Sequence, residues 1–211
     1  MREKAMFGSA AALCLALAGE AVVAAEGREI KPSPLDRVTI YQDRISKESP
    51  VRVRNFPADN ADLGTGAKQN KPKYQMNAQD MKENAPRLLR DALIYDLKEA
   101  GFTDVDVLEN GAAAPANALV IVGEFTKLNP GSQGKRYLVG FGAGKSQICA
   151  KGRVVTGPDQ GTVLMEFDHC RHEAMGLFGG EATGQMAKDS HATGSHLAEF
   201  MVKWAEGAYA R

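Results

Sequence analysis

Two runs decide how this chain folds: Ile148-Cys149-Ala150-Lys151-Gly152-Arg153-Val154-Val155 and Val163-Leu164-Met165-Glu166-Phe167-Asp168-His169-Cys170. Each alternates in character along its length, which is the signature of a strand with one buried face. Between them Pro158-Asp159-Gln160-Gly161 reads as a hairpin loop, with Gly161 available for positive φ. Folding the runs around that loop sets Cys149 opposite Cys170, Lys151 opposite Asp168 and Arg153 opposite Glu166. A slip of one residue would undo all three matches together, so the register is well specified. The opposite face carries Ile148, Ala150, Val154, Met165 and Phe167 toward a core.

The start of the chain bears on those cysteines. Arg2 and Lys4 precede a short apolar run from Ala5 to Ala18, and Val23-Ala24-Ala25 has the small-residue pattern of a signal-peptidase site. Residues 1–25 therefore read as a signal peptide cleaved after Ala25, with Ala24 as the alternative. The run is shorter than the roughly 20 residues of a membrane-spanning helix. Leu13 precedes Cys14 where a lipobox needs Gly, Ala or Ser, so Cys14 reads as part of the discarded segment. An exported chain meets an oxidising compartment, and cysteines facing each other across a hairpin bond with little distortion. The expectation is a Cys149–Cys170 disulfide closing a loop of about 22 residues, worth roughly 3 kcal/mol on the chain-entropy model. A redox-active pair is the lesser reading, because such pairs sit as Cys-x-x-Cys at a helix start.

The chain has 211 residues, with 26 basic and 26 acidic side chains. The leader removes Arg2, Glu3, Lys4 and Glu20, two of each sign, so the mature balance stays neutral. That argues against nucleic acid or an anionic membrane surface as partner. No further segment is apolar and long enough to span a bilayer. The expected location is periplasmic or secreted, with outer-membrane association left without a lipobox to support it.

Along the chain, residues 26–49 read as an extended arm with one edge strand around Val38–Tyr41, and residues 50–211 as a single domain. Val51 to Phe56 alternates as a strand, and Ala58 to Tyr74 reads as a long mobile loop. Met81, Ala85, Leu88, Leu89, Ala92, Leu93, Leu97 and Ala100 share one helical face. Pro86 sets that helix to start near Asn84, or kinks an earlier turn. Gly101 supplies its C′ residue, with Phe102 as the apolar contact of a Schellman ending. Asp104–Glu109 reads as a short strand, and Leu119–Phe125 is apolar on both faces as in a central strand. After a turn at Asn129-Pro130-Gly131, Gly140, Gly142 and Gly144 leave one strand face nearly bare. Met175–Gly184 reads as a glycine-rich loop, followed by a C-terminal helix carrying Leu197, Phe200, Met201 and Trp204.

Three constellations invite chemistry. Gly140-x-Gly142-x-Gly144-Lys145-Ser146 falls short of a phosphate-binding loop: its outer glycines enclose three residues where four are needed, and it leads into a strand. Close packing of a backbone or aromatic ring suits those glycines better. His169, His172 and Glu173, with a distant histidine, form an alternative zinc or copper site. Against it, His169 and His172 point to opposite strand faces, and His191 and His196 diverge by roughly 140° on a helix. No cofactor is expected, and nothing assembles a nucleophilic triad. The loop around Leu177 and Phe178 is a candidate contact surface.

Val51–Phe56, the helix ending at Gly101-Phe102, Leu119–Gly123, Arg136-x-x-x-Gly140-Phe141-Gly142-Ala143-Gly144 and the hairpin with Thr156-Gly157 together resemble a bacterial envelope family, domain of unknown function 4410. More remotely, the element order is similar to the N-terminal domain of the Tol translocation protein and to the curli-secretion lipoprotein. The resemblance implies an α/β (α+β) sandwich used for assembly or interaction, with no family catalytic residues. The expected architecture is two main helices, one ending at Gly101 and the C-terminal one carrying Trp204, on a mixed, largely antiparallel sheet of about five strands. The expected function is non-enzymatic, with an envelope protein partner or self-association. Arg136, Gly140, Phe141, Gly142, Gly144, Leu177 and Phe178 are the candidate interaction residues.

Overall fold

The computed structural model describes residues 26–64, 72–129, 146–157, 161–173 and 182–211. Strands β1 (Arg28–Ile30), β2 (Arg37–Ile40) and β3 (Val51–Val53) precede helix α1 (Pro72–Glu99). Then come β4 (Val105–Val107), β5 (Leu119–Asn129), β6 (Ser146–Thr156), β7 (Val163–Glu173) and helix α2 (Ala182–Ala205). Among the described residues the sheet has seven strands in the order β1-β2-β7-β6-β5-β3-β4. β3 runs parallel to β4 and β5, and the other pairings are antiparallel. The expected class holds, but the sheet is larger than the five strands anticipated.

Residues 26–49 supply β1 and β2: the edge strand expected around Val38–Tyr41 is β2, which lies inside the sheet because β1 pairs along its outer side. Val38 and Ile40 of β2 are buried against the core, while Arg37 and Thr39 turn outward. This four-residue segment is too short for periodicity to separate a strand from extended arm, and its pairing to β7 is what orders it. Both outermost strands, β1 and β4, have only three residues, which limits the edge available for unwanted pairing.

The hairpin register is the expected one, with Cys149, Lys151 and Arg153 opposite Cys170, Asp168 and Glu166. A shift between Val154 and Val155 then sets Val155 opposite Val163. Ile148, Ala150, Val154, Met165 and Phe167 are buried beneath the helices. On β5 the two apolar faces serve different cores. Leu119, Ile121 and Phe125 join the main one, whereas Val120 packs with Ala118, Leu108 and Val155 under the connector that precedes β5. A bulge between Phe125 and Lys127 resets the alternation, which returns Leu128 to the main core. Gly123 and Gly152 face each other across β5 and β6, and the rings of Phe56 and Phe167 occupy the space their side chains would need.

α1 begins at Pro72, well before the Asn84 start that Pro86 suggests, so Pro86 sits inside the helix. Packing of Met81, Ala85, Leu89, Leu93 and Leu97 carries the helix through the proline. Its end is the anticipated Schellman motif: Gly101 at φ +87° donates to Lys98 O, and Phe102 N–H donates to Leu97 O at 3.1 Å. Ala58 and Ala61, placed by sequence in a mobile loop, are buried. α2 begins at Ala182, which folds Gly184, Gly194 and two histidines into a helix longer than its apolar stripe implies.

The segment between β2 and β3 closes both helices at their negative ends. Arg44 Nε donates to Ala205 O at 2.7 Å, and Lys47 Nζ donates to Ala100 O at 3.1 Å. Fully buried Trp204 donates its indole N–H to Gln42 O at 2.9 Å. α1 and α2 cross closely at Gly194. A Cβ there would overlap the Leu89 carbonyl oxygen and come within 3.0 Å of Leu93 N. In an exposed helix Gly→Ala stabilises by about 1 kcal/mol. Gly194→Ala is expected to do the opposite, costing about 1–3 kcal/mol in urea unfolding because a backbone must move. A stabilised variant would show that the helices do not approach this closely.

Candidate functional site

β7 has two chemically different faces. Its even members Glu166, Asp168, Cys170 and His172 lie on the outer side of the sheet, and its odd members Phe167, His169 and Arg171 turn toward α2. The odd face begins as core and ends as a polar chain, because α2 presents His196 and buried Asp189 to the end of β7.

His169 Nδ1 lies 2.9 Å from Asp36 Oδ2, and His169 Nε2 lies 2.9 Å from His196 Nδ1. His196 Nε2 lies 3.2 Å from Arg171 Nη1. Arg171 Nε in turn approaches Asp189 Oδ1 at 3.5 Å. Asp36 also accepts the Cys170 backbone N–H at 2.6 Å. Three segments meet here: the turn before β2, β7, and the middle of α2.

The ends of this chain fix its protons. Arg171 can only donate, so His196 Nε2 accepts and His196 Nδ1 carries the hydrogen. That N–H donates to His169 Nε2, leaving His169 Nδ1–H to donate to the carboxylate of Asp36, which can only accept. With both rings neutral every link is satisfied and runs in one direction. An added proton on either ring forces two donors to face each other at one link, wherever the charge settles.

The electrostatics agree. Burial pushes His169 below its ordinary value, outweighing the upward pull of Asp36, with Arg171 adding to the downward shift. Burial also lowers His196, helped by His169 and Arg171. His169 is 4% exposed, so its loss of hydration outweighs the neighbouring carboxylate.

The proposed metal set does not converge. His172 lies on the outer face, its Nε2 3.5 Å from Gln147 Nε2, while His169 turns inward. The side chain of Glu173 is outside the described region. Of the more distant histidines, His196 shares a hydrogen bond with His169, and Arg171 adjoins it. Among the described residues no three His, Cys, Asp or Glu side chains group as a metal would require. Arg136, Gly140, Phe141, Gly142, Gly144, Leu177 and Phe178 all lie outside the described residues. Cys149 and Cys170 are bonded to each other.

The outer face carries ordered charge. Register aligns Arg37 of β2, Asp168 of β7, Lys151 of β6 and Glu124 of β5 in one row across four strands. The ion pairs are Arg37–Asp168 and Lys151–Glu124, each at 3.0 Å. Thus Lys151 faces Asp168 as expected, yet pairs with its other neighbour. Just past the end of β2, Tyr41 donates its hydroxyl to Glu166 Oε2 at 2.9 Å, which raises the tyrosine above its ordinary value.

The sequence of residues 51–205 matches the family model of a domain of unknown function, DUF4410. The chain belongs to that family. No match was found among curated proteins. Among solved structures it is similar to PelC from Paraburkholderia phytofirmans, crystallised as a dodecamer, with 13% identity and a TM-score of 0.40 over 80% of this chain and 92% of that one. A DUF330 protein from Xanthomonas campestris gives 11% identity and a TM-score of 0.39 over 74% and 83%. A minor lipoprotein from Acinetobacter baumannii gives 11% and 0.38 over 79% and 96%.

The histidine chain has a pH consequence. Both rings sit lower in the folded chain than in the unfolded one, where a histidine titrates near about 6.5. As pH falls through about 6.5 the unfolded chain takes up protons that the folded chain refuses, so stability falls. Their full contribution is present above that pH and is lost as pH drops through the folded values. Urea unfolding from about pH 7.5 down to about pH 5 should show this decline. A His169→Phe/His196→Leu double variant should show a flatter profile; an equally steep one would mean the decline arises elsewhere.

Proposed function

We propose that this chain is exported to the periplasm or cell envelope and serves there as a non-enzymatic assembly or protein-interaction module. The observation that supports the reading best is the Cys149–Cys170 bond, which joins neighbouring strands on the side of the sheet away from the helices. A bond of this kind is maintained in oxidising compartments and is uncommon in the cytosol. It agrees with the leader-like first 25 residues and with the envelope role that the family resemblance implies. Among the described residues no helix is long and apolar enough to cross a membrane.

The polar chain at His169 supports a structural role over a reactive one. Its rings are hydrogen-bonded at both nitrogens, to Asp36, to each other and to Arg171, so neither presents a free nitrogen to a substrate. It joins the turn before β2 to β7 and α2, which fixes the sheet edge relative to the helices.

The test is expression of the full chain in a Gram-negative host, followed by cell fractionation and mass analysis with and without thiol alkylation. The expected product is released with the periplasm, starts after Ala25, and resists alkylation at Cys149 and Cys170 until reduced. Reduction, or Cys149→Ser/Cys170→Ser, should lower stability by roughly 3 kcal/mol. A full-length chain in the cytosol with alkylatable thiols would contradict export.

A further inference from the structure

Across β2, β7, β6 and β5, two rows on the outer face of the sheet have a charge pattern that matches its own reversal; Glu29 of β1 lies beyond Thr39, and Lys127 of β5 lies beside Cys149. The first row reads, from β2 to β5, Arg37, Asp168, Lys151, Glu124: positive, negative, positive, negative. Read backwards, every sign changes. The neighbouring row reads Thr39, Glu166, Arg153, Val122: neutral, negative, positive, neutral. It does not alternate, yet it obeys the same rule, with Glu166 exchanging with Arg153 and neutral Thr39 with neutral Val122. On the other side of the first row the Cys149–Cys170 bond spans the two central strands and carries no charge.

All of these exchanges follow from one operation, a two-fold axis parallel to the strands and passing between β6 and β7. A second copy turned about that axis sets its Asp168 over Lys151, its Arg37 over Glu124 and its Glu166 over Arg153. Turning about an axis along the rows would instead set each charge over itself. We propose that this face docks a second copy of the same chain, face to face, through the two rows centred on β6 and β7. The proposal rests on the interaction role proposed above and names its partner.

Among the described residues this surface is open. The helices occupy the other face of the sheet, and the side chains of Arg37, Asp168, Lys151 and Glu124 are 58%, 43%, 55% and 40% exposed. An open groove of about 630 Å³ lies over the same rows, lined by Glu29, Arg37, Glu124, Lys151 and Glu166 among others, and can accept long side chains from the facing copy. In the free chain these exposed ion pairs add little stability. In the pair, each charge in the two rows has an opposite charge beside it, above it or both, which offsets the cost of removing it from water. Aligned sheets packed face to face are an ordinary arrangement. The patch is roughly 19 Å by 14 Å from strand spacing and residue rise. That is below the roughly 800 Å² each partner gives to a standard interface, so the pair is weak and salt-sensitive.

The experiment is sedimentation equilibrium of the purified, oxidised chain alongside Lys151→Glu, Asp168→Lys and an equal mixture of the two variants. The wild type should dimerise with concentration, and raising salt from about 0.05 M to about 0.5 M should weaken the dimer. Each variant alone sets like charges against each other twice and should raise the dimer Kd at least about tenfold, a shift consistent with like-charge repulsion at an interface. In the mixture both contacts become attractive again, so a mixed dimer should form at near wild-type affinity. That rescue also shows that both variants fold. A wild type that stays monomeric, variants that dimerise unchanged, or a mixture that stays apart would overturn the proposal. Its failure is separable from failure of the export reading: the dimer is read in solution, whereas export is read by fractionation and leader removal.

Discussion

The register of β6 on β7 is the constraint on which the rest of the structure depends. Side chains alternate strictly along a strand, so a slip of one residue would exchange the whole inner and outer sets. With Cys149 opposite Cys170, the inner set is Ile148, Ala150, Val154, Met165 and Phe167, which the helices bury. The outer set is the disulfide and the two charged rows. The same alternation continues past the core and turns His169 and Arg171 inward to α2 while His172 stays outside. One pairing thus distributes core, charge and the polar chain together.

The helical layer is fitted to that sheet by contacts of different kinds. Apolar burial supplies most of the attraction, through Leu89, Leu93, Leu97, Phe200 and Trp204. Close approach is set by absence, at Gly194 against α1 and at Gly123 and Gly152 beneath two phenylalanine rings. Direction is set by charge: Arg44 and Lys47 meet the carbonyl ends of the two helices, where the partial charge is negative. The Asp36–His169–His196–Arg171 chain adds a polar tie between sheet and helix, and its donor-only and acceptor-only ends leave a single arrangement of protons.

Much of this is legible in the residues. The hairpin register follows from three matched pairs at one spacing, and the end of α1 follows from Gly101-Phe102. The family follows from the elements between Val51 and Trp204. The first strands are less so: β1 has no counterpart in the sequence reading, and β2, expected at an edge, is held inside the sheet by β1 and by a partner strand more than 120 residues away. Pro86 misplaces the start of α1 because a local rule competes with a long apolar stripe and loses. The histidine chain is hidden by separation, since its members come from positions 36, 169, 171 and 196. A signal was nonetheless present. His169 continues the inward series of Met165 and Phe167, and His196 sits one helical turn before Phe200 and two before Trp204, so both histidines fall on buried faces. Comparing only histidines near one another in sequence misses that.

The inward placement of His169, and the register that causes it, can be measured directly from the imidazole nitrogen shifts of His169 and His196 in solution at neutral pH. Two neutral rings are expected, each carrying its hydrogen on Nδ1, as the chain from Arg171 to Asp36 requires. A His169 that titrates near the ordinary value of about 6.5, or that carries its hydrogen on Nε2, would place the ring outside that chain and contradict the register.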